Sequence, residues 1–165
     1  MEKYIQVDIE KCTGCRTCEV SCSLKTTGQS NPARSRIKVI RFEETGAYHN
    51  YVPMVCQQCS TPLCMEACAV NAISKNEETG AMIVDHDACV GCRVCSIACP
   101  IGGISVDPVT EVAYKCDLCD GDPECVKCCD AEAIKYVPKD LMDISLKRSK
   151  SDKVMELFAL MRQSR

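Results

Sequence analysis

The sequence has very few of the large side chains that normally fill a protein core. Its 165 residues include no tryptophan, two phenylalanines and five tyrosines. No apolar stretch approaches the roughly 20 residues that a membrane-spanning helix needs, and the N-terminal residues "MEKYIQVDIE" lack the apolar segment of a signal peptide. We therefore expect a soluble, cytoplasmic chain without a transmembrane segment, whose interior is filled by something other than aromatic side chains.

Several functional classes also lack their usual signatures. The formal net charge is −3 and no long basic run is present, which argues against nucleic-acid binding. There is no P-loop, no GxGxxG motif and no arrangement of a nucleophile with a base. The two histidines, His49 and His86, are not expected to be metal ligands. We therefore expect that the chain is not itself an enzyme and that a partner carries out any chemistry on a substrate.

Cysteine, in contrast, is unusually abundant, with 17 residues in the chain. A secreted disulfide scaffold is one explanation of such a composition. The odd number of cysteines, their CxxC spacing and the missing signal peptide argue against it. Closely spaced thiols in a reducing compartment are instead typical of metal ligands.

The cysteines form four groups along the chain. Groups one and three have the spacing C-x2-C-x2-C-x3-C, whereas groups two and four have a longer middle gap. An internal repeat of this kind determines the architecture more strongly than any other feature. The groups are Cys12, Cys15, Cys18 and Cys22; Cys56, Cys59, Cys64 and Cys68; Cys89, Cys92, Cys95 and Cys99; and Cys116, Cys119 and Cys125 with Cys128 or Cys129.

The repeat continues beyond the cysteines. An isoleucine follows the last cysteine of groups two, three and four by five residues, at Ile73, Ile104 and Ile134. The segments 72–85 and 104–115 each contain two short apolar runs on either side of a polar turn. Such a pattern is typical of a strand, a turn and a second strand. The sequence therefore predicts two β-hairpins that follow groups two and three.

The first half of the chain predicts strands without this hairpin pattern, at residues 4–9, 36–44 and 48–55. Short helices are expected at residues 65–69 and in "RVCSIAC" at 93–99, and the fourth cysteine of a group is expected at the start of a helix. The predicted fold class is therefore α+β, with short hairpins and short helices around the metal sites.

The cysteine spacing favours iron–sulfur clusters over zinc. Structural zinc sites usually combine two CxxC pairs, or one pair with histidines, across a longer loop. Groups one and three place three cysteines within seven residues, so one loop can present three sulfur atoms to one cubane. Group three, with Pro100 after its last cysteine, also matches the bacterial run whose fourth cysteine ligates the other cluster of a pair. Sixteen of the 17 cysteines would hold four [4Fe-4S] clusters. A zinc-binding structural module is the alternative.

One cysteine of group four is left over. Cys129 follows Cys125 with the same three-residue gap that the other groups have, and Ile134 follows Cys129 by five residues as in groups two and three. If Cys129 is the ligand, Cys128 aligns with alanines in groups two and three. On this alignment Cys128 is a small buried apolar residue. The overall length of the group supports Cys128 instead, because the spacing from Cys116 to Cys128 equals the spacing between the first and last cysteines of group two. We favour Cys129 because the middle loop of group four is one residue longer.

The four groups, in this order, resemble those of the four-cluster ferredoxin-like electron-transfer subunits of multisubunit oxidoreductases. The resemblance covers residues 4–138 and implies tandem dicluster ferredoxin-like modules, in which group one pairs with group four and group two with group three. It also implies four ligand sets, numbered I to IV below. They are Cys12, Cys15, Cys18 and Cys129 (set I); Cys22, Cys116, Cys119 and Cys125 (set II); Cys56, Cys59, Cys64 and Cys99 (set III); and Cys68, Cys89, Cys92 and Cys95 (set IV).

The resemblance further implies a partner. The segments "NPARSRIKV" and "KCDLCDGDPECVKCC" are most similar to the small subunits of tungsten enzymes of the aldehyde ferredoxin oxidoreductase type. This group of tungsten enzymes includes benzoyl-CoA reductase. The chain is then expected to relay single electrons between a larger tungsten-pterin catalytic subunit and a further donor or acceptor protein. A molybdopterin oxidoreductase or hydrogenase as partner, and a free-standing polyferredoxin, are the alternatives.

The expected domain organisation is a four-cluster domain over residues 1–140 and an extension over 141–165. Apolar residues from Val154 to Met161 recur at helical spacing and predict an amphipathic helix, which either packs on its own domain or docks on a partner. Acidic residues also concentrate around group four, as a solvated loop or as a patch for docking or for lowering cluster potential. They are Glu111, Asp117, Asp120, Asp122 and Glu124.

Overall fold

The computed structural model describes residues 2–43 and 49–139, so the predicted helix of the extension lies outside the described residues. The strands are β1 (Lys3–Val7), β2 (Ile37–Glu43), β3 (His49–Val55), β4 (Ile73–Lys75), β5 (Met82–Val84), β6 (Ile104–Val106), β7 (Ala113–Lys115) and β8 (Ile134–Pro138). The α-helices are α1 (Thr17–Thr27), α2 (Leu63–Glu66), α3 (Val94–Ala98) and α4 (Glu124–Lys127), a 3₁₀ segment covers Pro32–Arg34, and Leu118–Gly121 form a turn of residues with positive φ. The predicted α+β class, with short hairpins and short helices, is confirmed. Among the described helices none has the length and apolar character to span a membrane.

The strands form four separate antiparallel pairs, β1 with β8, β2 with β3, β4 with β5, and β6 with β7. The two hairpins predicted after groups two and three are β4–β5 and β6–β7. Ile73, Ile104 and Ile134 begin β4, β6 and β8, and each is at most 4% exposed. Because β1 and β8 come from opposite ends of the described chain, their pairing brings group one next to group four.

The turns of the two predicted hairpins have the same construction. The side-chain oxygen of Asn76 accepts hydrogen bonds from the backbone N–H groups two and three residues further on. The carboxylate of Asp107 does the same in the second hairpin, where it accepts from Val109 and Thr110. Short polar side chains favour turns because they satisfy backbone donors in this way. The sequence repeat is therefore also a repeat of turn chemistry.

Each cysteine group supplies the first turn of a helix, and the cysteine at that place is the third of its group. Cys18, Cys64, Cys95 and Cys125 are each the second residue of their helix. The expectation that the fourth cysteine begins a helix is therefore wrong. The helix starts one residue before the third cysteine, and the fourth cysteine lies about one helical turn after the third because three residues separate them. For the same reason α2 begins at Leu63, two residues before the predicted start.

Two hydrophobic clusters form the core of the described residues, and cysteines belong to both. One joins the buried cysteines of sets I and II, together with Cys56 of set III, to residues such as Ile5, Ile37 and Leu118. The other joins cysteines of sets III and IV to Ile73 and Met82. Helix α1 packs against α4, and α2 packs against α3. This arrangement agrees with the pairing of group one with four and of group two with three.

Candidate metal centres

The structure brings the four cysteines of each predicted set to the lining of one cavity. Set I shares its cavity with Arg16 and Asp130, and set II shares its cavity with Arg36 and Asp117. Set III lies beside Lys115, and set IV beside Arg93. In every case, cysteines from two distant groups meet. Coordination by these residues stays a prediction, but their placement in four separate cavities fits four ligand sets.

One position in the loop that carries the first two cysteines has a left-handed backbone in all four groups. The residue before the second cysteine has a positive φ: 73° at Gly14, 48° at Gln58, 67° at Gly91 and 62° at Leu118. A Cβ atom at Gly91 would lie 2.2 Å from the carbonyl oxygen of Glu111, so a side chain cannot fit there. This left-handed turn bends the loop so that its cysteines can face a common centre.

Burial follows the position of a cysteine within its group. The third cysteine is buried in all four groups, whereas the second is exposed in groups one, two and three and half-buried in group four. Burial raises the pKa of the third cysteine in each group, and the pKa of Cys18 rises to about 12. At exposed Cys15, by contrast, a hydrogen bond from the Thr17 hydroxyl lowers the pKa. The buried thiols become thiolates when a metal replaces their protons, so metal binding is linked to folding.

Backbone N–H groups donate to cysteine sulfur atoms in three of the sets. The N–H groups of Arg36, Ala72, Gly103 and Ala113 donate at 3.2–3.3 Å. Their acceptors are Cys22, Cys68, Cys99 and Cys89, respectively. Hydrogen bonds to sulfur are one means by which proteins stabilise an iron–sulfur cluster and set its potential. The donor set and its surroundings therefore fit cluster binding.

Helices α2 and α4 show how Cys128 and Cys129 align with group two. Each helix has a proline at its N-cap, and the C-cap residue is Ala67 in α2 and Cys128 in α4. Cys128 therefore takes the place of an alanine, as expected. It is half-buried rather than buried, and it lines the cavity of set I together with Cys129. Its sulfur atom lies 3.6 Å from the carbonyl oxygen of Cys125, to which it donates.

Three of the five acidic residues around group four form ion pairs. Asp117 pairs with Arg36, and Lys127 pairs with both Asp122 and Glu124. Burial opposes ionisation of Asp117, but the Arg36 guanidinium outweighs it and holds the pKa of that carboxyl below its usual value. These pairs give the three residues a local structural role. A docking role stays a prediction for the other two.

Two buried polar residues beside the cavities were missed in the sequence analysis. Gln58 is 5% exposed; its amide donates to the carbonyl of Cys116 at 2.8 Å and accepts from the N–H of Met82 at 2.8 Å. Lys115 is 4% exposed, and its Nζ atom has no hydrogen-bond partner among the described residues. Neither has a sequence signal of its own, because polar residues next to cysteine motifs are usually solvated. The unpaired ammonium at the cavity of set III fits an anionic cluster there.

No three Cys, His, Asp or Glu side chains in residues 2–43 and 49–139 are arranged to hold one metal ion. The cysteines of each set lie instead around the wall of their cavity.

The chain matches a protein-family model over more than half its length. The model of the 4Fe-4S dicluster domain matches residues 47–139. The polyferredoxin-like subunit of aliphatic sulfonate oxidoreductase from Pyrococcus furiosus is 42% identical, over 81% of this chain and 77% of its own length. An uncharacterized ferredoxin from Methanocaldococcus jannaschii is 35% identical, over 98% of this chain and 85% of its own.

A third relative is much longer than this chain. The beta subunit of NADH-dependent phenylglyoxylate dehydrogenase from Aromatoleum evansii is 36% identical over 81% of this chain, which spans 30% of that subunit. Among solved structures, the active-site complex BamBC of benzoyl coenzyme A reductase with benzoyl-CoA contains a chain that is 29% identical. The match covers 94% of this chain and 96% of that one, with a TM-score of 0.45.

Proposed function

The chain belongs to the 4Fe-4S dicluster domain family, and from this premise we propose that it is a subunit that relays electrons through four [4Fe-4S] clusters to or from a larger catalytic subunit. The observation that carries the proposal is the gathering of sixteen cysteines, four at a time, at four cavities. The proposed ligands are sets I to IV as defined above. The proposed domain covers residues 1–140, with 141–165 as an extension.

A bound [4Fe-4S] cluster supplies a one-electron carrier, and the residues of this chain fix its environment. The buried third cysteines hold each cluster away from water, and backbone N–H groups stabilise charge on the sulfur atoms. The second cysteines Cys15, Cys59 and Cys92 reach the surface, so three of the sites approach solvent or a partner. Such an arrangement suits the transfer of electrons in and out of the domain.

The proposed partner is a larger oxidoreductase subunit of the tungsten-pterin type, together with a further donor or acceptor protein. The relative from Pyrococcus furiosus, described as a subunit of an oxidoreductase, supports the assembly. The tungsten-pterin class is supported by the resemblance of "NPARSRIKV" and "KCDLCDGDPECVKCC" noted above. The proposed compartment is the cytoplasm, because a reducing environment keeps this many free thiols available for metal.

Metal analysis of anaerobically purified protein tests the cluster assignment. Four clusters give about 16 iron and about 16 sulfide per chain. About 12 iron after full reconstitution would show that one set does not hold a cluster. Stoichiometric zinc in place of iron would overturn the proposal.

Native purification with a tag on this chain tests the partner. The expected result is a complex with a larger subunit that contains tungsten. Molybdenum or nickel in the complex would replace the tungsten assignment by a molybdopterin oxidoreductase or a hydrogenase, respectively. A monomer under all salt conditions would contradict the subunit role and leave a free-standing polyferredoxin.

A further inference from the structure

Lys115 is a buried cation without a counter-ion in the described part of the chain. It is the last residue of β7, it is 4% exposed, and its Nζ atom is buried with no hydrogen-bond partner. Burial of an unpaired ammonium is strongly unfavourable. Its position therefore requires an anionic group nearby.

The surroundings of Lys115 offer one kind of anion. The side chain lines the cavity of set III, which also contains Cys56, Cys59, Cys64 and Cys99. Its other neighbouring cleft is lined by Arg36 and Lys38, which are also cations. No carboxylate occurs among the described residues that line either space. The sulfur atoms of set III are thus the available negative partners.

Lys115 lines the cavity of set III and is itself 4% exposed, so its charge lies beside that cavity and largely out of contact with solvent. The ammonium attracts any negative charge held in the cavity, and burial of the ammonium weakens the screening of this attraction by water.

The other three cavities have no equivalent charge. At set II, Arg36 is neutralised by its ion pair with Asp117. At set I, Arg16 and Asp130 are both exposed, and at set IV, Arg93 is exposed, so solvent screens them. Among the described residues, set III is therefore the set that has a buried cation without a counter-ion beside it.

We propose that Lys115 raises the reduction potential of the cluster held by set III, so that this site retains an electron more readily than it would beside a neutral residue. The inference rests on the proposed function, because it requires a cluster at set III. Reduction adds one electron, supplied by a low-potential donor, and so adds one negative charge to the site. Lys115 stabilises the more negative reduced state more than the oxidised state, which shifts the equilibrium toward reduction.

An EPR-monitored redox titration of the full-length protein with all its clusters tests the proposal. The signal of the set III cluster is first identified as the one that changes in Cys59→Ser. At a fixed ambient potential, Lys115→Met should lower the ratio of reduced to oxidised set III cluster about tenfold, a downward shift of about 59 mV for one electron. Lys115→Arg should keep most of the wild-type ratio, because it keeps the charge.

Arg93→Met is the matched control, since it removes an exposed cation beside set IV. It should change the ratio at set IV much less than Lys115→Met changes that at set III. An unchanged set III ratio in Lys115→Met would overturn the proposal. If Lys115→Met loses about four iron per chain, Lys115→Gln and Lys115→Arg are compared instead. Retention of the set III cluster in Lys115→Arg but not in Lys115→Gln would show that the positive charge is needed and would support the proposal. Loss of the cluster in both variants would assign Lys115 a purely steric role and would overturn the proposal.

The same measurements separate this inference from the proposed function. Wild-type protein without iron–sulfur clusters would contradict the proposed function itself. Wild-type protein with about 16 iron per chain, together with an unchanged ratio in Lys115→Met, would contradict only the role of Lys115.

Discussion

At the scale of single residues, a left-handed backbone conformation precedes the second cysteine of every group. Glycine provides it at Gly14 and Gly91, but Gln58 and Leu118 adopt it with full side chains. Such a residue costs roughly 1–2 kcal/mol, which tertiary contacts must offset. Gln58 makes two buried hydrogen bonds, and Leu118 is completely buried in the core. The conformation is thus a requirement of the cysteine loop, and glycine is one of two ways to meet it.

The first prediction distinguishes Cys128 from Cys129. We expect Cys128→Ala to keep all four clusters, because an alanine occupies the equivalent place at the end of α2. Cys129→Ala should disturb the cluster of set I and lower the iron content by up to about four per chain. Iron analysis and EPR of the reduced proteins measure both effects.

Cys128 lines the same cavity as Cys129, so it is a possible substitute ligand when Cys129 is removed. The double variant therefore serves as a control, and it should lose at least as much iron as Cys129→Ala. Loss of the set I cluster in Cys128→Ala, with retention in Cys129→Ala, would show that group four is aligned wrongly.

At the scale of elements, the two sister hairpins differ in the charge of their turn residue. Asn76 and Asp107 make the same backbone hydrogen bonds, but Asp107 also accepts from Arg34 Nε at 2.8 Å. This pair is nearly buried, with side chains 12% and 8% exposed, and it joins the second hairpin to the 3₁₀ segment after α1. Burial alone would raise the pKa of Asp107, but the hydrogen bonds from Val109, Arg34 and Thr110 hold it below its usual value.

Asp107→Asn should therefore remove the ion pair and keep the turn, since asparagine makes this turn in the sister hairpin. The expected loss of stability near pH 7 is about 3 kcal/mol, because Arg34 is left unpaired. The folded-state pKa of Asp107 lies below its unfolded value of about 3.9. Its contribution is thus fully present above about pH 4 and is lost as the pH falls through the folded-state pKa.

Apparent Tm values of the wild type and Asp107→Asn, measured by circular dichroism from pH 8 to pH 3, check this prediction. The difference between the two proteins should be constant down to about pH 5 and shrink below about pH 4. Acid loss of clusters affects both proteins, so the difference isolates the ion pair. Asn76→Asp is the control, and it should not gain the stability that Arg34 provides at position 107. A difference that grows on acidification would contradict the assignment.

At the scale of the whole molecule, Gln58 connects the two halves of the core. It belongs to the cysteine loop of set III, yet its side chain bonds to Cys116 of set II and to Met82 of β5. Cys116 belongs to the first hydrophobic cluster and Met82 to the second, so the hydrogen bonds of this buried amide link the two clusters.

We predict that Gln58→Ala lowers the free energy of unfolding by about 1–3 kcal/mol for each backbone group left buried without a partner. Anaerobic denaturant unfolding, followed by circular dichroism and by cluster absorbance, provides the measurement. Gln57→Ala is the matched control, because Gln57 is half-buried and makes one 3.3 Å hydrogen bond to Val55. Equal effects of the two substitutions would rule out a special role for Gln58.

The sequence by itself determined the four cysteine groups, the isoleucine register and the hairpins, because thiol spacing, side-chain periodicity and turn residues are local properties. The family resemblance then supplied the four ligand sets, and the structure places the cysteines of each set around one cavity. Tertiary structure decided which distant residues meet. The pairing of β1 with β8 brings the two ends of the described residues together, Arg34 reaches Asp107 across 73 positions, and Lys115 lies against set III. No local pattern encodes these contacts, because they depend on how the hairpins pack around the cysteine cavities.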